Sequence, residues 1–224
     1  MRLTLRIILV SLAVTVALAS ALSAASARNL QVSNRFFRVT WNPLEFREPA
    51  GLAVRCQITM EGSFHESTIA KVERTLIGHI TRANVAQETC RTSLGTAAHA
   101  IPWNGSERIL GATIAQSLPW HVTYEAFRGT LPNISGVVLL LRNVRFTLEV
   151  PITGCLASYG RAETNLRGIV NVVGGEATTL TPEANPRAPR QENIAGECPT
   201  EGAFSGNGTV TVLNSTTRIR VTLI

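Results

Sequence analysis

Apolar and polar residues alternate with a period of two through most of this chain, and that pattern constrains its fold more than any other feature. Cys56, Ile58 and Met60 alternate with Gln57, Thr59 and Glu61. Val144, Phe146, Leu148 and Val150 alternate with Arg145, Thr147 and Glu149, and Ile219, Val221 and Leu223 with Arg218, Arg220 and Thr222. Successive side chains of a strand point to opposite faces, so each run turns one face to a core and the other to water. Arg35 to Trp41, Trp120 to Phe127 and Gly168 to Val173 are further strand candidates. Gly206-Asn207-Gly208 leads into Thr209 to Val212, and Asn214-Ser215-Thr216 turns the chain into its last strand, which predicts a C-terminal hairpin. Many short strands without an internal repeat predict an all-β domain, mainly antiparallel, built as a β-sandwich or a small barrel.

One segment departs from the alternation. Ser67 or Thr68 can cap a helix, Ile69, Val72 and Leu76 fall at i, i+3 and i+7, and Gly78 stands where a glycine stops one. The spacing predicts one short helix near 68–77. Residues 91–107 and 181–199 read as loops, the second carrying Pro182, Pro186, Pro189 and Pro199.

Residues 1–27 read as a cleavable signal peptide. Arg2 and Arg6 precede an apolar stretch from Ile7 to Leu22, and Ala25-Ser26-Ala27 supplies the small residues a signal peptidase reads. The stretch falls short of the ~20 residues that span a bilayer. Residues 28–224 then read as a single exported domain, secreted or held at the cell envelope, with no membrane span left after cleavage. The four cysteines, Cys56, Cys90, Cys155 and Cys198, are an even set in an exported chain and read as two disulfides. Of the three possible connectivities, Cys56–Cys90 and Cys155–Cys198 close moderate loops within each half. The cysteines form no C-x₂-C pair, so no metal site is expected of them.

Composition removes several chemistries. All 15 acidic residues are Glu, which excludes calcium loops of the EF-hand type, aspartic dyads and the Asp of nucleotide–Mg²⁺ sites. Lys71 is the sole lysine, leaving little room for Schiff-base chemistry. The net charge of +6 is not clustered: Arg142 and Arg145, like Arg218 and Arg220, alternate along strands, so nucleic acid is not an expected partner. Asn104, Asn133, Asn207 and Asn214 each begin a glycosylation triplet, usable only in a host that performs the modification.

The motif search finds fragments. His65-Glu66 begins an H-E-x-x-H pattern, but Ile69 stands where the second histidine belongs. Glu61-Gly62-Ser63-Phe64-His65 lacks the last glycine of a nucleophile elbow. A pair of carboxylates across a cleft would suffice for glycoside hydrolysis. Glu61, Glu125 and Glu149 lie on predicted strands, and Glu61, His65 and Glu125 are the cleft candidates. Their simpler place is the solvated side of the alternation. Leu118 to Tyr124 is distinctive in composition, with Trp120 expected in the core, Trp103 in a loop, and His121 and Tyr124 on opposite faces.

Glu61 to His65, Thr68 to Val72, Leu76-Ile77-Gly78, Leu118 to Val122 and Gly129 to Ile134 resemble segments of a group of exported bacterial proteins of unknown function, over roughly 55–200. The resemblance implies export and neither an activity nor site residues. The sequence therefore predicts a non-enzymatic binding or structural module, with an envelope polymer or an apolar ligand as possible partner and no cofactor. The rivals are a small Glu/His hydrolase and a barrel that carries an apolar ligand. An apolar cavity of several hundred Å³ would favour the carrier, a polar cleft where Glu and His converge the hydrolase, and a filled interior the structural module.

Overall fold

A computed structural model describes residues 29–49, 51–102, 107–109, 112–114, 117–130, 133–161 and 163–224. The expected signal peptide, Trp103 and Asn104 lie outside the described residues. The strands run β1 Asn29–Val32, β2 Phe36–Arg47, β3 Ala53–Phe64, β4 Thr68–Ala70, β5 Leu76–Thr92 and β6 His99–Pro102. They continue with β7 Glu107–Ile109, β8 Ala112–Ile114, β9 Trp120–Thr130, β10 Asn133–Arg142, β11 Phe146–Val150 and β12 Cys155–Tyr159. The last six are β13 Asn165–Val173, β14 Glu176–Pro182, β15 Arg187–Ala195, β16 Glu201–Ser205, β17 Gly208–Val212 and β18 Ile219–Leu223.

Antiparallel pairing closes the sheet on itself. β2 pairs with β3, β3 with β5, β5 with β9, β9 with β10, β10 with β13, β13 with β14, β14 with β17, and β17 with β2. This is an eight-stranded closed barrel, the member of the predicted pair that removes sheet edges. β1 and β4 extend the sheet outward from β18, which pairs with β14 beside β17.

The outer strands make a second circuit from the far ends of β2, β3 and β5. β16 pairs with β2, β15 with β16, β12 with β15, β11 with β12, and β6 with β11. β5 and β6 meet without a regular ladder. Arg91 bridges Ala97, and the Gln87 side chain stands in for a strand residue: its Nε2 donates to the Ala100 carbonyl at 2.6 Å and its Oε1 accepts from the Ala100 N–H at 3.2 Å.

β2, β3 and β5 change register where they pass from the first circuit to the second. On β2 the shift lies between Trp41 and Leu44, on β3 between Arg55 and Gln57, and β5 skips from Ala86 to Arg91. The Cys56–Cys90 disulfide ties β3 to β5 across this break, and the Thr89 hydroxyl fills it by accepting from the Gln57 N–H at 2.9 Å. Cys155–Cys198 joins the start of β12 to the segment after β15.

The inward residues form two cores. Phe37, Val39, Trp41, Trp120, Val122, Tyr124 and Leu139 belong to the barrel core. Phe46, Val54, Phe146, Leu148 and Tyr159 belong to the second, together with all four cysteines. Trp120 is buried with its indole N–H donating to Ser117 Oγ at 2.9 Å, while His121 beside it is exposed.

Three expectations are corrected. No helix forms at 68–77. Ile69 pairs with Leu30 as part of β4, Arg74 takes a left-handed turn at φ 64°, and β5 begins at Leu76. The i, i+3, i+7 stripe has no core to face: Ile69 is buried, but Val72 is 61% and Leu76 40% exposed. The helical segment that is described is a 3₁₀ turn at Pro151–Thr153. The C-terminal hairpin is closed at its turn alone, where the Val212 N–H donates to the Thr217 carbonyl at 2.8 Å, and β17 and β18 form no ladder with each other. β18 and β17 take successive stretches of one edge of β14, β18 at Glu176 and Ala177 and β17 at Thr179 and Leu180, and the Arg218 guanidinium bridges the fork by donating to the carbonyls of Thr178 and Val210. The long loop at 181–199 is instead mostly strand, through β15.

The second core leaves no room at Gly202, where a Cβ would lie 2.1 Å from the Phe46 ring. Gly202→Ala is expected to lower unfolding free energy by about 1–3 kcal/mol, read as a reduced denaturation midpoint at unchanged m-value.

Candidate functional site

The two cores do not fully meet. A cavity of about 100 Å³ lies at their junction, lined from the barrel side by Trp41, Met60 and Trp120 and from the other by Phe46, Val54 and Phe146. A second cavity of about 60 Å³ lies deeper in the barrel, and Trp41, Met60, Leu141 and Leu180 line both. The lining is almost wholly carbon because alternation sends the apolar half of every strand inward. Arg167 is the charged residue among the described lining residues, and it ion-pairs with Glu183 at 2.9 Å.

One polar group departs from this apolar surround. The Trp41 indole N–H is buried without a hydrogen-bond partner. An orphaned buried donor costs roughly 1–3 kcal/mol, and Trp41 sits on both cavities. A small apolar molecule fits such a space, and one that brought an acceptor within reach of Trp41 would recover that cost. Neither cavity reaches the several hundred Å³ of a drug-sized pocket, so the occupant is small or displaces the flexible Met60 side chain.

The three cleft candidates are placed apart in their contacts. Glu61 on β3 is ion-paired with Arg38 at 2.6 Å and Arg82 at 3.6 Å. His65, just beyond β3, places its Nε2 2.9 Å from Nδ1 of His79. Glu125 lies at the irregularity of the β9–β10 ladder, where one carboxylate oxygen is buried without a partner. Among the described residues none of the three is hydrogen-bonded to another.

Glu61 lines a shallow outer depression of about 440 Å³ with Arg38, Thr40, Thr59, Arg82 and Asn84. Asn84 also borders a second depression, of about 370 Å³, where His99 and Glu149 lie opposite each other in register. This face of β2, β3 and β5 is polar and charged while the interior is apolar, the reverse of a membrane-spanning barrel. The His99–Glu149 pairing and the contacts of His79 were not legible in the sequence, because they depend on which strands become neighbours.

His79 touches two other histidines, with ring centroids 4.8 Å from His65 and 5.1 Å from His121. Burial, then the nearby charges of His65 and His121, lower its pKa from the ordinary histidine value. Glu48 is 8% exposed and one of its carboxylate oxygens has no partner. Burial raises its pKa, and that of Tyr159 is raised by burial and by Glu48.

An acid whose pKa is higher folded than unfolded favours the fold at low pH, and loses that contribution as pH rises through the folded value. Glu48 therefore opposes folding at neutral pH. Glu48→Gln is expected to raise the melting temperature at pH 7 to 8 relative to the parent, with the advantage gone below the ordinary carboxylate range. Thermal unfolding followed across that pH series checks it.

Comparison with known proteins finds no matching family model, no matching curated protein and no matching solved structure.

Proposed function

We propose that this chain is a non-enzymatic binding module working outside the cytoplasm, and that it takes a small apolar molecule into the junction of its two cores. The observation that carries this reading is the carbon-lined cavity together with the unpartnered indole N–H of Trp41 on its wall. The two disulfides support an oxidising compartment, and the apolar leader at residues 1–27 supports export. The hydrolase reading draws less support, since Glu61 is ion-paired with Arg38 and Arg82. A polymer-binding role on the outer face has support in the groove that passes Asn84, where threonine, asparagine and arginine side chains can bond hydroxyl-rich chains.

Native mass spectrometry of the secreted protein tests the cavity reading. The expected result is an added mass that disappears on denaturation, or, for protein purified empty, a melting temperature raised by benzene. Ala83 lines the junction cavity. Ala83→Leu is expected to fill part of that space and abolish either effect. A bare protein that benzene does not stabilise would overturn the cavity reading and leave the outer face as the binding surface.

A further inference from the structure

We propose that His65, His79 and His121 form a surface site for a divalent transition-metal ion of the Zn²⁺ class. The chain has 4 histidines, and the barrel gathers three of them. His79 on β5 lies in register with Ser63 of β3 on one side and His121 of β9 on the other. The pairing runs on past Ser63, with the His65 N–H donating to the Ile77 carbonyl at 2.9 Å, so His65, two residues beyond Ser63 and on the same face, lays its ring against His79.

Nε2 of His65 and Nδ1 of His79 are 2.9 Å apart, within hydrogen-bond distance, with the tautomers setting which ring donates. A tetrahedral ion with metal–nitrogen bonds of about 2.0–2.1 Å holds two ligand nitrogens roughly 3.3–3.4 Å apart. Replacing the bridging proton by a metal thus asks the rings to part by roughly half an ångström and to tilt so that both nitrogen lone pairs converge on the ion. Among the described residues no three such side chains already surround one point. His121 is exposed, so rotation about its own side-chain bonds is open to it as the third ligand, with water completing the set.

The surroundings select the kind of ion. Arg142 of β10 lies directly opposite His121 of β9, and Arg35 donates to the His65 carbonyl at 2.9 Å. Glu61 is held by Arg38 and Arg82, leaving Glu66, next to His65 in the chain, as the nearby carboxylate in sequence. Calcium and magnesium need several oxygen ligands, which this face does not assemble. Neutral imidazole suits zinc, copper and nickel.

Isothermal titration of ZnCl₂ into the oxidised protein, without chelating buffer, tests the site. The expected result is saturable binding of one ion per chain, weakened roughly tenfold or more by His79→Ala and likewise by His65→Ala. His65 is exposed, so its variant keeps the test valid where His79→Ala fails to fold. Thermal unfolding should show Zn²⁺ raising the melting temperature of the parent and not of the variants. Absence of saturable binding, or binding that both substitutions leave unchanged, would overturn the proposal; the latter would place the ion elsewhere, such as at His99.

Discussion

Three long strands that each serve two circuits are the constraint on which this structure depends. β2, β3 and β5 contribute their one half to the closed barrel and their other half to the outer strands. A twisted strand cannot stay in register with neighbours on both circuits while keeping alternate residues inward. Each of the three breaks its ladder near the level where the circuits meet, and each break is specified locally. Pro43 has no N–H to give to the β2 ladder. Cys56 bonds covalently across to β5, and Thr89 replaces a missing backbone acceptor. The irregularities are the joints that let one set of strands enclose two cores.

The same joints account for the cavity. Packing is densest where a full ring of inward side chains closes on itself, and the ring is incomplete where strands change register. Trp41 and Met60 occupy that level from the barrel, and Phe46 and Val54 from the other side. The side chains that border the gap come from both circuits and leave it open and apolar. The orphaned indole N–H of Trp41 belongs to the same place, beside the glycines of the 206–208 segment, where a Gly208 Cβ would lie 2.5 Å from the indole. Aromatic bulk there depends on the absence of side chains on the strand that crosses it.

Much of the fold was readable from alternation, and the failures share one cause. Cys56, Ile58 and Met60, or Phe146, Leu148 and Val150, had their inward face assigned because period two is a local property. The disulfide pairing followed from loop lengths for a similar reason. The helix at 68–77 failed because Ile69 and Leu76 match a helical spacing and equally a strand, a bend and a second strand. Only pairing with Leu30, far away in sequence, decides between them. Neither the junction cavity nor the meeting of His65, His79 and His121 is a property of any one segment. Both arise from strand order, which the sequence pattern leaves open.

The two cores are stabilised by different means. The barrel core is built from large side chains, including Phe37, Trp41, Trp120 and Tyr124, and contains no cysteine. The second core is smaller, includes Ala98, Ala100, Ala157 and Ala188, and holds both disulfides. Burial of an alanine contributes far less than burial of a leucine or phenylalanine, so the second circuit has less apolar area to offset the entropy of ordering its strands. Cross-links act on that deficit directly, each restricting the unfolded chain by about 2–4 kcal/mol. The Gln87 bridge marks the same weakness, since β5 and β6 are joined partly by a side chain where a ladder would otherwise run. The distribution of cysteines thus follows the distribution of packing: covalent bonds sit where the apolar core is thinnest, on the circuit whose closure is least regular.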